Sequence, residues 1–218
     1  MKKIDLHVHT RRYSDCAFTR PEDIITRALE EGLDGIALTE HGTRWPDQEF
    51  TQLLALAKTH NLLLINGQEI YTTDSSGRME GEFLVFGIGR SLTGNYRAEE
   101  LIDLVHGEGG IVIAAHPYKL SRNGKMHYYG AGDRLEYLPV DAVEHFHPDQ
   151  NERARGKVEK IMRKRGLPGT GGSDAHVARA IGLCYTIFEV DIASEQELIE
   201  EIRAGRVRGG QRPSRVKE

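Results

Sequence analysis

Five short polar segments each follow an apolar, strand-like run, and each carries histidine or acidic side chains. They are Asp5-Leu6-His7-Val8-His9, Thr39-Glu40-His41, Gln68-Glu69, Ala115-His116-Pro117 and Ser173-Asp174-Ala175-His176. Side chains of a strand alternate faces with a period of two, so His7 points the same way as His9, and Asp174 the same way as His176. Imidazole and carboxylate ligands gathered from the ends of several strands are what a multinuclear metal site requires. The chain is therefore expected to fold so that these strand ends meet.

The placement of the histidines supports the same interpretation. A single histidine is more often a structural or surface residue than a metal ligand. Of the ten histidines in the chain, however, those that stand at the ends of apolar runs are His7, His9, His41, His116, His145, His147 and His176. Clusters of histidine and carboxylate side chains mark metal or catalytic sites, so the pattern favours a metal centre.

Strand-like and helix-like segments alternate along the whole chain. The predicted strands are 2–8, 35–39, 62–67, 111–115, 140–144, 167–171 and 185–190, with a hairpin over 69–89, and helices are predicted between most of them. Repeated strand–helix units indicate a parallel sheet with helices outside. An open doubly wound sheet is an alternative, but Rossmann and P-loop glycine patterns are absent. Ligands at nearly every strand end favour a closed or nearly closed barrel, a single α/β domain over residues 1–205 with a basic C-terminal tail over 206–218.

Size and charge limit the class of protein further. At 218 residues, the chain suits one barrel-sized domain. A net charge of −4 argues against a nucleic-acid polymer as the main partner. No apolar run approaches the roughly 18–20 residues that a membrane span needs, and no signal-peptide core is evident. Two cysteines cannot form a disulfide framework, so a cytoplasmic protein is expected.

Taken in order, the polar motifs resemble those of a known family. His7-x-His9, Ser14-Asp15, Thr39-Glu40-His41, Glu69, Ala115-His116-Pro117-Tyr118 and Gly172-Ser173-Asp174-Ala175-His176 are similar to the motifs of the PHP (polymerase and histidinol phosphatase) family of metal-dependent phosphoesterases. The resemblance covers residues 1–205. It implies a distorted (β/α)7 TIM-like barrel with two or three divalent metal ions at its mouth.

The resemblance also assigns roles by position. The implied metal ligands are His7, His9, Asp15, His41, Glu69, His116, Asp174 and His176. Of these, Glu69, Asp174 and His116 are the implied catalytic residues, with Glu69 bridging two metals. Many family members carry a further histidine in the second strand of the hairpin, where this chain has Leu84. His145 or His147 could fill that place, could contact substrate, or could be structural.

The chemistry implied is hydrolysis of phosphate esters by a metal-bound hydroxide. Neutral imidazoles suit zinc, iron or manganese, and the expected substrate is a small phosphorylated metabolite or nucleotide. The candidate substrate-binding residues are Lys119, Arg122, His145 and His147. Two alternatives remain: a metal-dependent hydrolase of amide or ester bonds on the same barrel, and a non-catalytic metal-binding regulatory domain.

Overall fold

The computed structural model describes residues 1–119 and 129–213, and these residues form an α/β domain. The strands are β1 Lys2–Val8, β2 Gly35–Leu38, β3 Leu63–Asn66, β4 Gln68–Thr73, β5 Met79–Phe86, β6 Ile111–Ala114, β7 Ala142–Phe146, β8 Gly169–Gly171, β9 Cys184–Phe188 and β10 Val207–Gln211. The α-helices are α1 Pro21–Glu30, α2 Asp47–Thr59, α3 Ala98–Gly107, α4 Glu152–Arg165 and α5 Glu195–Arg203. Short 3-10 helices span Gly132–Glu136 and Ala178–Ala180.

The strands form two five-stranded sheets. The first has the order β10-β9-β1-β2-β3, and the second has the order β4-β5-β6-β7-β8. The pairs β1–β2, β2–β3, β6–β7 and β7–β8 are parallel, as the repeated strand–helix units predict. The predicted hairpin is β4 and β5, which pair antiparallel.

The apolar side chains form three layers. A central cluster lies between the sheets and includes Ile4, Leu84 and Ile113. A second cluster packs α3 and α4 against the outer side of the second sheet, and a third packs α1 and α2 against the first sheet. Both sheets therefore have two buried faces, which explains why their strands are continuous apolar runs rather than alternating ones.

The predicted α/β architecture is confirmed in the described residues, where the strands form two sheets and the hydrogen-bond ladder does not close into a continuous barrel. Two seams separate the sheets. One seam has the isolated bridge between Val8 and Ala175, and the other has the isolated bridge between His41 and Glu69. The antiparallel pairs β4–β5 and β9–β10 replace regular strand–helix units, so the domain is two curved sheets rather than one uniform barrel.

Residues 207–211 correct one expectation. The sequence predicts a basic tail from residue 206, whereas Val207–Gln211 is an edge strand paired along its whole length with β9. Val207 is buried in the central cluster. The domain thus continues to at least Gln211, and residues 214–218 lie outside the described part of the chain. None of the helices described has the length and apolar character needed to cross a bilayer.

Candidate metal centre

The polar strand ends meet at one end of the two sheets. His7 and His9 come from β1, and their ring centroids are 5.1 Å apart. The other side chains of the cluster follow β2, begin β4, or follow β6, β7 and β8: they are His41, Glu69, His116, His147, Asp174 and His176. The convergence that the sequence pattern predicts is therefore present.

Glu69 lies at the middle of this cluster. Its Oε1 is 3.2 Å from Nε2 of His7 and 3.2 Å from Nε2 of His116. Its Oε2 is 3.4 Å from Nε2 of His9 and 3.0 Å from Nδ1 of His41. Each carboxylate oxygen thus faces a different pair of histidines, which is the arrangement of a carboxylate shared between neighbouring cations.

Asp174 faces several of the same histidines as Glu69. Its Oδ1 is 3.2 Å from Nε2 of His9 and 3.5 Å from Nε2 of His7. Its Oδ2 is 3.5 Å from Nε2 of His147. Several sets of donor atoms lie within 4.8 Å of one another: His7, His9, Glu69 and Asp174; Glu69, Glu82 and His116; His7, His116 and His147; and His9, His41 and His176.

The hydrogen bonding of these residues fits metal ions. Nε2 of His7, Nε2 of His9 and Oε1 of Glu69 are buried and have no hydrogen-bond partner in the described structure. Buried polar atoms are nearly always paired, and an unpaired one is costly. A set of lone pairs that converges on a few points is satisfied by divalent cations, so the donor set fits a metal centre of more than one ion.

The electrostatics of the cluster keep its central carboxylates ionised. Burial alone would raise the pKa of Glu69 and of Asp174, but the surrounding histidines, His7 first among them, hold both pKa values well below their usual range. Burial lowers the pKa of His9 to about 4, so this imidazole is neutral at physiological pH. Anionic carboxylates and neutral imidazoles are the protonation states in which these groups bind metals. Although burial alone would lower it, the pKa of His7 is raised by Glu144, Glu69 and Asp174, so His7 would release a proton on binding a metal.

Glu144, on β7, fixes the orientation of two of the predicted ligands. Its Oε1 lies 3.0 Å from Nδ1 of His7, and the backbone amide of His116 donates to its Oε2 at 2.7 Å. A carboxylate on the far nitrogen of a histidine leaves Nε2 free to coordinate. Gly172 is required beside this pair, because a Cβ there would lie 2.3 Å from Oε1 of Glu144 and 2.5 Å from Cβ of His7.

Two further buried acids hold the loops around the cluster. Glu40 accepts hydrogen bonds from the hydroxyls of Thr10 and Ser14 and from the indole of Trp45. Asp5 accepts from the backbone amides of His7, Ser173 and Gly182. Both carboxylates are thus occupied by donors and act on the cluster by positioning the chain around it.

Two of the predicted ligands have left-handed backbone conformations, with φ of 25° at His116 and 49° at Asp174. Such conformations are uncommon for residues other than glycine, and they cluster at functional sites. They occur where the chain turns sharply out of β6 and after β8. The turn directs each side chain into the cluster.

The remaining predicted site residues lie in different places. His147 and Lys119 are at the cluster, and the Lys119 ammonium donates to Oδ2 of Asp174. Asp15 is exposed and belongs to none of the donor groups found in the described residues. His145 faces α4 instead, with Nε2 3.0 Å from Oε1 of Glu159. Arg122 lies outside the described residues.

Four residues at the cluster were not predicted as site residues. Glu144 is fully buried and Glu82 is partly buried, both within strands, and such an acid in an apolar strand is itself a signal, since it needs a partner. Leu84, where the family often has histidine, is fully buried in the central cluster. Cys16 has its Sγ 3.3 Å from Nε2 of His41, and burial raises the pKa of this thiol.

A cavity of 930 Å³ opens beside the cluster and includes Asp174, His176 and Lys119 in its walls. Phe18, Tyr129 and Arg179 also line it. The cavity therefore combines the edge of the metal cluster with cationic and aromatic side chains, and it is large enough for a small organic molecule.

Comparison with known proteins identifies the family. The PHP domain model matches residues 5–164, and the PHP-associated model matches residues 152–207. The chain belongs to the PHP family. An uncharacterized protein of Methanocaldococcus jannaschii is 30% identical over 66% of this chain and 81% of its own length. The PolC-type DNA polymerase III of Caldanaerobacter subterraneus is 29% identical over 47% of this chain, but only 8% of the polymerase is covered.

Three solved structures share the fold. PsfC from Pseudomonas syringae superposes with a TM-score of 0.65 at 18% identity, over 97% of this chain and 92% of that one. A protein from Bifidobacterium adolescentis, named a candidate metal-dependent phosphoesterase, gives a TM-score of 0.64 at 19% identity over 80% of this chain and 88% of that one. An amidohydrolase from Chromobacterium violaceum gives 0.58 at 16% identity, over 79% and 87%. All three structures are under 20% identical to this PHP chain and share its fold.

Proposed function

We propose that this PHP protein hydrolyses phosphate esters of a small phosphorylated metabolite or nucleotide with the help of two or three divalent metal ions. The observation that carries the proposal is the position of Glu69, whose two oxygens face two different pairs of histidines at 3.0–3.4 Å. A phosphate ester is anionic and resists attack by water, so its hydrolysis needs both charge neutralisation and a strong nucleophile. A shared carboxylate holds cations close enough together for both tasks.

When bound, divalent metal ions supply Lewis acidity, which acidifies a water molecule and polarises the phosphoryl oxygens. The residues that would hold them are His7, His9, His41, Glu69, His116, Asp174 and His176. Glu144 keeps His7 and His116 in their orientations, and the low pKa of Glu69 and of Asp174 keeps both carboxylates in the binding form. This division between ligands and supporting residues is common in metalloenzymes.

Substrate recognition is assigned to the cavity beside the cluster. Lys119 is largely buried there, and its ammonium is positioned to donate a charge-assisted hydrogen bond to a phosphate oxygen. Tyr129 and Phe18 provide apolar surface for the organic part of the ester. His145 is left out of this role because it faces α4, and Asp15 is left out of the ligand set because it is exposed.

Water is proposed as the nucleophile rather than a protein side chain. Cys16 is the thiol nearest the cluster, and burial raises its pKa, which keeps it protonated and weakly nucleophilic. The hydroxyl of Ser14 donates to Glu40 and is therefore occupied as a structural donor. Trapping of a phosphorylated protein residue during turnover would contradict this part of the proposal.

The function is tested with metal-reconstituted protein and a panel of phosphate monoesters, phosphate diesters, short oligonucleotides and amide or carboxyl ester substrates. The expected result is hydrolysis of phosphate esters that stops on chelation and returns with manganese, zinc or iron. Glu69→Ala and Asp174→Ala should nearly abolish it, whereas His60→Ala should not, because His60 ends α2 and is exposed. Hydrolysis of the amide or carboxyl ester substrates alone, or of no substrate in the panel, would reject the proposal. A preference for oligonucleotides would reject the small metabolite or nucleotide as substrate in favour of a nucleic acid.

A further inference from the structure

The group formed by Glu69, Glu82 and His116 differs from the other candidate metal positions because two of its three donors are carboxylates. Oε2 of Glu82 lies 3.5 Å from Nε2 of His116. The Glu82 side chain is 15% exposed and faces the like-charged Glu69. A carboxylate in such a place is costly unless cations compensate it. The ammonium of Lys119 is one such cation, and a metal ion would be another.

The topology of β5 explains why Glu82, and not residue 84, reaches the cluster. Side chains 82 and 84 share one face of the strand, since the period is two. In the parallel strands β1 and β6 residue numbers rise toward the cluster. Strand β5 is antiparallel to β4 and β6, so its numbers fall toward the cluster instead.

The register of β5 against β6 places the two residues at different depths. Leu84 pairs with Ile113 of β6 and with Glu69 of β4, and its apolar side chain is fully buried in the central cluster. Glu82 lies beyond the last pair of that ladder, where its carbonyl accepts a hydrogen bond from the amide of Ala115 at 3.0 Å. It is therefore level with the start of the turn that carries His116.

His147 is the other side chain that could complete this position, but its hydrogen bonding gives it a different role. The amide of Asp149 donates to Nδ1 of His147 at 3.1 Å. In a neutral imidazole that accepts at Nδ1, the proton is on Nε2, so this tautomer follows from the hydrogen-bond network. Nε2 then carries the proton and has no lone pair for a metal; it is buried 3.5 Å from Oδ2 of Asp174 and has no hydrogen-bond partner in the described structure.

We infer that Glu82 is a ligand of a second metal ion, shared with Glu69 and His116, and that it takes the place of the histidine expected at residue 84. The position then has two carboxylates and one imidazole, whereas His9, His41 and His176 form an all-nitrogen group. Carboxylate ligands suit Mn²⁺ and Mg²⁺, and imidazole ligands suit Zn²⁺. The second position should therefore prefer Mn²⁺ to Zn²⁺ more strongly than the histidine-rich position does.

The inference rests on the metal-dependent function proposed above, but its test measures metal content and not hydrolysis. Metal-stripped full-length protein is loaded with Mn²⁺ or with Zn²⁺, desalted and analysed by elemental mass spectrometry. Glu82→Gln should lose about one equivalent of Mn²⁺ per chain. Glu80→Gln is the matched control, because Glu80 lies on the same strand but accepts from the amide of Ala98 at the start of α3.

A second variant keeps the test decisive if Glu82→Gln folds poorly. Glu82→His should still bind this equivalent of metal, and the preference of the second position should change from Mn²⁺ toward Zn²⁺. Glu82→Gln protein that keeps its full Mn²⁺ content and an unchanged affinity for Mn²⁺ would overturn the inference. Loss of one equivalent of Mn²⁺ in His147→Gln, but not in Glu82→Gln, would overturn it as well. Wild-type protein that holds this metal but hydrolyses no phosphate ester would reject the proposed function and leave the ligand assignment standing.

Discussion

Glu144 shows how much of the centre depends on a residue outside the donor groups. One carboxylate oxygen faces Nδ1 of His7, and the other accepts the amide of His116. The two predicted ligands come from different strands and share this single acid. Its removal should therefore disturb ligand geometry without deleting a ligand.

Glu144→Gln is expected to weaken metal binding about 10- to 100-fold, because supporting partners of ligating histidines contribute on that scale. The amide can accept on one side only, so either His7 or His116 loses its partner. Competition with a chromophoric chelator measures the change. Glu159→Gln is the matched control, since Glu159 contacts His145 on the side facing α4. Equal metal affinity in the two variants would show that Glu144 has no supporting role.

Lys119 is the residue whose charge is expected to act on substrate. Lys119→Met removes the ammonium but keeps most of the side-chain volume, and KM for a phosphate ester should rise more than kcat falls. Lys119→Arg keeps a cation in the cavity and should recover part of the loss. Steady-state kinetics at fixed metal concentration separate the two parameters. An unchanged KM in Lys119→Met would remove this residue from substrate binding.

At the scale of elements, β10 gives a direct test of the fold, because the sequence predicts a tail at these residues. A Cβ at residue 209 in β10 would lie 2.5 Å from the carbonyl oxygen of Thr170 and 2.7 Å from Cδ2 of Phe146. Gly209→Ala should therefore lower the free energy of unfolding by about 1–3 kcal/mol, as overpacked sites do. Arg208→Ala is the control, because that side chain is exposed on the same strand. Chemical denaturation compares them, and equal stability would place 207–211 outside the packed domain.

The sequence predicts parallel strand–helix units and the convergence of most strand-end ligands, because periodicity and apolar runs are local properties. The family motif points to Leu84, because matching a motif does not show which residue of β5 carries a side chain long enough and polar enough to reach His116. Nor does the sequence predict β10, whose two glycines have low strand propensity and which forms because β9 offers an edge. Asp15 and His145 satisfy a motif or a periodicity, but the turn before Cys16 and the contact with Glu159 place them elsewhere.

At the scale of the molecule, metal binding should be coupled to stability. The proposed ligands come from both sheets, and a metal that binds only the folded chain stabilises it by about 4 kcal/mol at a thousandfold excess over its Kd. For a chain of this size, removal of metal by chelation should lower Tm by on the order of 10 °C. Differential scanning calorimetry with and without chelator checks this. A Tm that is independent of metal would contradict the proposed centre.

The coupling between metal binding and stability is expected to act at the two seams between the sheets. The bridge between Val8 and Ala175 lies next to His9, Asp174 and His176, and the bridge between His41 and Glu69 joins two proposed ligands directly. Cations bound there would hold the two sheets together at the end where the ligands lie. Without the cations, this end of the two sheets should open first. The amides of His9, Glu69 and Ala175 should then exchange hydrogen for deuterium sooner than those of β2. In a PHP chain of this kind, the bound metal ions would then link the two sheets where the backbone hydrogen-bond ladder is interrupted.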